Sequence, residues 1–89
     1  MLLKNVLVNK LKNVIKTDFT MDLRGIECPL NFVKTKIQLE KMNVGEILEI
    51  WIDPGEAIES VPLSVIEEGH KILHEEKFEN HFKLLIKKM

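Results

Sequence analysis

Apolar positions along the chain switch between two periods, and the switches lay out six elements beyond residue 18. Phe19-Thr20-Met21-Asp22-Leu23-Arg24 alternates with period two, the spacing of a strand with one face buried. Gly25 interrupts it. Pro29 suits a first helical turn, where a missing N–H costs nothing, and the spacing predicts a helix from there to about Met42, stopped near Val44-Gly45. Its apolar residues fall into two stripes, Phe32/Leu39/Met42 and Leu30/Val33/Ile37, which predicts cover from two sides, by a sheet and by another helix. Glu46 to Ile52 reads as a second strand, with Leu48, Ile50 and Ile52 on one face and Ile47, Glu49 and Trp51 on the other.

Asp53-Pro54-Gly55 is turn chemistry. A second helix is predicted from about Glu56 to Glu68, kinked by Pro62 or truly starting there, with Ser60 as candidate N-cap and Gly69 as C-terminal cap. His70–Phe78 and His81–Lys87 read as strands joined at Glu79-Asn80. The order β-α-β-α-β-β predicts an α+β fold, a two-layer sandwich of one four-stranded mixed sheet with two helices on one face. A strand–helix–strand unit makes a parallel, right-handed crossover. The loops leaving the first two strands, Gly25–Cys28 and Asp53–Glu56, then emerge at one end of the sheet, where α/β ligand sites gather.

Residues 1–18 form a basic N-terminal extension and residues 19–89 the domain. Residues 1–16 carry Lys4, Lys10, Lys12 and Lys16 with no acidic residue, and place Leu3, Leu7, Leu11 and Val14 at helical spacing. A basic amphipathic segment suits a membrane surface, but the plainer expectation is packing on its own domain, without membrane contact. If Leu48, Ile50 and Ile52 face the helices, Trp51 and Ile47 lie on the open side of the sheet. Either residues 1–16 or the second copy of a homodimer is expected to cover them.

Composition narrows function by exclusion. Eighty-nine residues suffice for one small core and no deep enclosed active site. Thirteen Lys plus Arg against fourteen Asp plus Glu leave a net charge of −1, so direct nucleic-acid binding is not expected. No apolar run exceeds three residues, far short of a membrane span. The one cysteine excludes an internal disulfide and a Cys-based zinc site. No metal or cofactor is expected.

What remains is the thiol of Cys28. A lone cysteine is ordinarily a small buried hydrophobe. Its place between a glycine turn and a helix-starting proline argues instead for an exposed, reactive group on a loop. Unpaired N–H groups at the helix start favour negative charge, and a thiolate is the negative charge within reach. Glu27 opposes this by repulsion, and Arg24 would offset Glu27 if its side chain folded back over the loop. A Cys hydrolase would need a positioned histidine. His70, His74 and His81 all fall on or near the last two strands, where His70 and His74 share a solvent-facing side rather than the helical i, i+4 spacing of a metal site. Asp53 and Glu56 are solvated turn charges or a meeting point for a basic partner.

The run Asp22-Leu23-Arg24-Gly25-Ile26-Glu27-Cys28-Pro29-Leu30 closely resembles the signature of the TusA/SirA-like sulfur-carrier proteins. The likeness continues through Phe32-Val33-Lys34-Thr35-Lys36, Val44-Gly45-Glu46, Val61-Pro62 and Glu67-Glu68-Gly69-His70. It implies the two-layer sandwich already read from the periods. It also implies a function: Cys28 accepts sulfane sulfur as a persulfide and relays it to a partner, a sulfurtransferase-type carrier rather than a complete enzyme. Implied donors are cysteine desulfurases or rhodanese-like proteins; implied uses are tRNA thiolation, molybdenum-cofactor assembly and sulfur oxidation, in the cytoplasm. Cys28 is then catalytic, with Arg24, Gly25, Glu27, Pro29 and Asn31 supporting it. Two positions depart from the commoner pattern. Asn31 stands where Cys-Pro-x-Pro has its second proline, and Glu27 stands where many tRNA-pathway members have arginine. These departures motivate a non-catalytic regulatory or adaptor module as the alternative, and the basic extension motivates a peripheral partner of a membrane sulfur transporter.

Overall fold

The computed structural model describes residues 16–89. Strand β1 (Phe19–Asp22), helix α1 (Leu30–Lys41), strand β2 (Ile47–Ile52), helix α2 (Glu56–Glu67) and strands β3 (Lys71–Lys77) and β4 (Phe82–Lys87) follow in the predicted order. The sheet runs β1-β2-β4-β3. β1 and β2 are parallel, pairing Phe19 with Leu48 and Asp22 with Trp51, and the other neighbours are antiparallel. The expectations for residues 1–15, as cover for the sheet or as a membrane or transporter contact, lie outside the described residues.

β2 alternates strictly between buried and half-buried residues, while β4 buries Leu84, Leu85 and Ile86 in succession, and the two strands form the centre of the core. Leu48, Ile50, Ile52, Leu84 and Ile86 are fully buried against Leu39 of α1 and Val61 and Val65 of α2. Each such side chain contributes roughly 1.5–3 kcal/mol by leaving water. On the other face, Ile47, Glu49 and Trp51 are half-buried.

The helices depart from their sequence pattern in instructive ways. α1 does not bury Leu30, Val33 and Ile37, which are 50%, 41% and 47% exposed. Its inward stripe is Asn31, Thr35, Leu39 and Met42, two of them polar. Local hydrogen bonds make this tolerable: Thr35 Oγ1 donates to the Asn31 carbonyl at 2.9 Å, and Asn31 Oδ1 accepts from the Phe32 N–H at 2.6 Å. A buried polar group that is hydrogen-bonded no longer carries its full desolvation cost. α1 ends at Met42 in extended backbone, and Gly45 serves the following turn, donating its N–H to the Lys88 carbonyl at 2.7 Å.

Helix α2 runs without interruption through Pro62, so Pro62 does not set its start. Ser60 is not its N-cap either; that position is Gly55, and the Ser60 hydroxyl donates to the Glu56 carbonyl inside the helix. An interior proline removes one rung of the ladder at a cost of about 3 kcal/mol. Burial of Ala57, Val61 and Val65 along one side of α2 offsets it. The predicted glycine stop is present: Gly69 has φ +93° and donates to Ile66, while His70 donates to Val65. This paired closure favours glycine in the left-handed region.

Candidate functional site

The parallel pairing of β1 and β2 delivers their following loops to the same end of the sheet, and a hydrogen bond joins them. The Gly25 N–H donates to an Asp53 carboxylate oxygen at 2.8 Å. Gly25 sits at φ +80°, where side chains are strained, which is why the strand can turn there. Between the loops lies a cleft of about 350 Å³. Ile26, Glu27, Cys28 and Asn31 line it from the first loop and α1; Asp53, Pro54, Glu56 and Ala57 line it from the second loop and α2. Asp53 and Glu56 are thus brought to the cysteine, as their loop positions predict.

Cys28 is an exposed thiol, not a buried hydrophobe. It directly precedes Pro29, which occupies the N-cap position of α1, and the Cys28–Pro29 peptide is cis. With Pro29 at the N-cap, the helix begins one residue later than the sequence suggests, and Asn31 is its second residue. The amides at this end are less available than the pattern implies. Those of Asn31 and Val33 donate to the carbonyls of Glu27 and Pro29 at 3.1 and 3.0 Å, and that of Phe32 donates to Asn31. Pro29 has no N–H to offer, and among the described residues the Leu30 N–H has no backbone acceptor. The field of the helix end persists, and α1 has no acidic residue in its first turn to occupy it.

Arg24 corrects an expectation. Its guanidinium does not fold over Cys28 to balance Glu27. It grips Asp22 through two hydrogen bonds of 2.8 and 2.7 Å and lies 5.0 Å above the Trp51 ring. The side-chain bonds from Arg24, helped by its backbone N–H, hold the Asp22 carboxyl down at about 2, and Asp22 in turn raises Arg24. On this open side of the sheet Trp51 also donates to Glu49 at 2.6 Å and meets the His81 ring at 5.6 Å, so Arg24 and His81 supply part of its cover. The charged residues left lining the cleft are Glu27, Asp53 and Glu56, all acidic.

None of the histidines lines the cleft. His81 stacks on Phe78 with centroids 4.8 Å apart. His70 lies before β3 rather than in it, and a register shift between Ile72 and His74 breaks the simple shared face. Burial, reinforced by Lys88 and opposed by Glu68, pushes the His70 imidazole below its usual range. Among the described residues, no group of three His, Cys, Asp or Glu side chains is placed to hold a metal, and no helix is long and apolar enough to cross a membrane. Sequence reasoning overlooked Ala57 as a wall of the cleft, although its i, i+4, i+8 relation to Val61 and Val65 marks it as inward-facing.

Comparison with known proteins converges on this architecture. A SirA-like protein from Desulfitobacterium hafniense has the same fold, with a TM-score of 0.68 over 78% of this chain and 95% of its own, at 18% identity. A protein of Archaeoglobus fulgidus named "Putative sulfur carrier protein" is 45% identical over 75 residues, covering 83% of this chain and 85% of its own. One of the same name from Thermotoga maritima is 44% identical over 69 residues, covering 76% and 87%. YedF of Escherichia coli, a sulfur carrier protein by the same qualified name, is 32% identical over 63 residues, covering 71% and 80%. The family model described as Sulfurtransferase TusA matches residues 19–88, which hold all six elements and the cleft. The chain belongs to the TusA sulfurtransferase family.

Proposed function

We propose that Cys28 carries sulfane sulfur as a persulfide, taking it from a donor protein and yielding it to an acceptor protein. The observation that carries this reading is the exposed thiol at the start of α1, on an open cleft between two tied loops. The Cys28 thiolate attacks the outer sulfur of a donor persulfide. A new S–S bond forms at Cys28, the donor's S–S bond breaks, and the donor cysteine leaves as a thiolate with the bonding pair. The hand-over is the same exchange with an acceptor thiolate attacking the outer sulfur on Cys28. No outside oxidant is needed, since one thiol and one persulfide simply exchange places.

An exposed nucleophile fits this task, because two large partners must reach it in turn. With no histidine on the cleft, a Cys–His hydrolase gains no support. A desulfurase or a rhodanese-like protein is the donor class suggested by the family. Glu27, Asp53 and Glu56 suit a partner whose own surface is basic, since complementary charge speeds encounter. The test is intact mass after incubation with a persulfide donor: the wild-type chain gains one sulfur atom and Cys28→Ser gains none, with the fold retained. Equal uptake by both would move the chemistry off Cys28, and uptake by neither would favour the regulatory or adaptor reading.

A further inference from the structure

Resting on that persulfide reading, we infer that Asn31 is the side chain that holds the anionic sulfur on Cys28, donating a hydrogen bond from its amide nitrogen within the cleft. Asn31 is 1% exposed and yet lines the same cleft as Cys28, three residues before it. Its amide orientation is fixed by chemistry. The atom 2.6 Å from the Phe32 backbone nitrogen must be the oxygen, because an N–H requires an acceptor. The two N–H bonds of Nδ2 are therefore left for another partner.

Among the described residues no hydrogen bond uses Nδ2, while no buried side-chain nitrogen or oxygen lacks a partner. Nδ2 is thus left without a partner among the described residues, on a side chain that lines the cleft. A donor held in place on one side and unengaged on the other is preorganised for an acceptor that arrives later.

The rest of the cleft shows why that acceptor is the sulfur. Glu27, Asp53 and Glu56 are acidic and repel an anion, so none of them stabilises it as a carboxylate. The amides of Asn31, Phe32 and Val33 are already engaged and Arg24 is held by Asp22, so that among side chains the donor falls to Asn31, beside the backbone N–H of Leu30. The outer sulfur of a persulfide extends roughly 2 Å beyond the cysteine sulfur, further into a space where Asn31 is the uncharged polar side chain. A proline at this position, as in the commoner motif, has no side-chain donor. This chain thus answers the charge on its sulfur by a different group.

Two variants test the inference on the full chain, read by the rate at which iodoacetamide alkylates unloaded Cys28. Asn31→Ala removes donor and acceptor without adding charge; Asn31→Asp keeps an acceptor for the Phe32 N–H and so retains the helix start. Far-UV circular dichroism and thermal melting check that each is folded, and the conclusion is drawn from whichever variants are. Near pH 7 both should react about tenfold more slowly than wild type, the loss expected when a hydrogen bond to a charged group is removed. At strongly alkaline pH, where any thiol is ionised, Asn31→Ala should match wild type. Wild-type rates at both pH values, or an equal loss at both, would overturn the role. The sulfur-loading assay is separate: loading with unaffected alkylation would retain the persulfide reading and sink this one, and the converse would do the reverse.

Discussion

Both helices begin on the cleft, but they treat their positive ends in opposite ways. α2 opens at Gly55 and supplies its own counter-charge, with Glu56 and Glu59 in its first turn. α1 opens at Pro29 and places no acid in its first turn. Negative charge at a helix start is favoured by roughly 0.3–1 kcal/mol. In α2 that preference is met by the chain and stabilises the fold. In α1 it stays open beside Cys28, where the proposed persulfide would bring a negative charge. The two helices are both twelve residues long, and the difference between them is a stabilising acid present in one first turn and left out of the other.

Among changes that compare the two helices, giving α1 the acid it lacks should have the largest effect. Leu30 is half exposed, so Leu30→Glu should fold, while the new carboxylate competes with the thiolate for the helix end. At low ionic strength Cys28 alkylation should slow about fivefold, the size of a like-charge contact of about 1 kcal/mol between fully water-solvated groups. Added salt should restore most of the rate. An unchanged rate would mean that the two helix starts do not differ in the way described.

A smaller change sharpens how α1 and α2 are held to one cleft. Asp53→Ala removes the acceptor of the Gly25 N–H, the bond that ties the loop before α1 to the loop before α2. Urea unfolding should show a loss of about 1 kcal/mol. No loss would indicate that the loops are positioned by their strands alone.

The smallest effect lies at the other ends. α1 finishes with Lys41 in its last turn, whereas α2 has no base there and is followed by His70, whose Nδ1 accepts the Met89 N–H at 3.2 Å. Burial lowers the His70 value in the folded state below 6.5, so the unfolded chain binds the proton first as pH falls. His70 therefore contributes a loss of stability that sets in as pH drops through about 6.5 and ends below the folded value. His70→Gln should flatten the urea midpoint between pH 7 and pH 5; the same slope in both proteins would remove His70 from the balance.

Much of this was legible in residue order. Alternation along β2 is dictated by burial on one face, and Gly25, Pro29 and Asp53-Pro54-Gly55 punctuate the chain for local steric reasons that hold in any context. Those features suffice to bring the loops of Cys28 and Asp53 together. Three matters were hidden because they depend on side chains meeting in space. Asn31 and Thr35 face inward, which no hydrophobic pattern can show, since each settles its polar group against nearby backbone. Ser60 and Pro62 carry the marks of a helix start, but packing of Ala57 and Val61 extends α2 past them. Arg24 was within reach of two carboxylates, and the bidentate geometry offered by Asp22, with the Trp51 ring beneath, decided between them.

The most direct trial of the account is to follow one isotopically labelled sulfur atom. The chain is loaded from a donor persulfide labelled in its outer sulfur, digested, and its peptides weighed before and after treatment with a small thiol. The labelled atom should sit on the peptide containing Cys28, in an amount of one per chain at saturation, and leave when excess thiol is added, first as that thiol's persulfide and then as sulfide when a second thiol closes the disulfide. Label found on any other peptide, or a Cys28 peptide that never gains it from a competent donor, would contradict the claim that this thiol is the carrier.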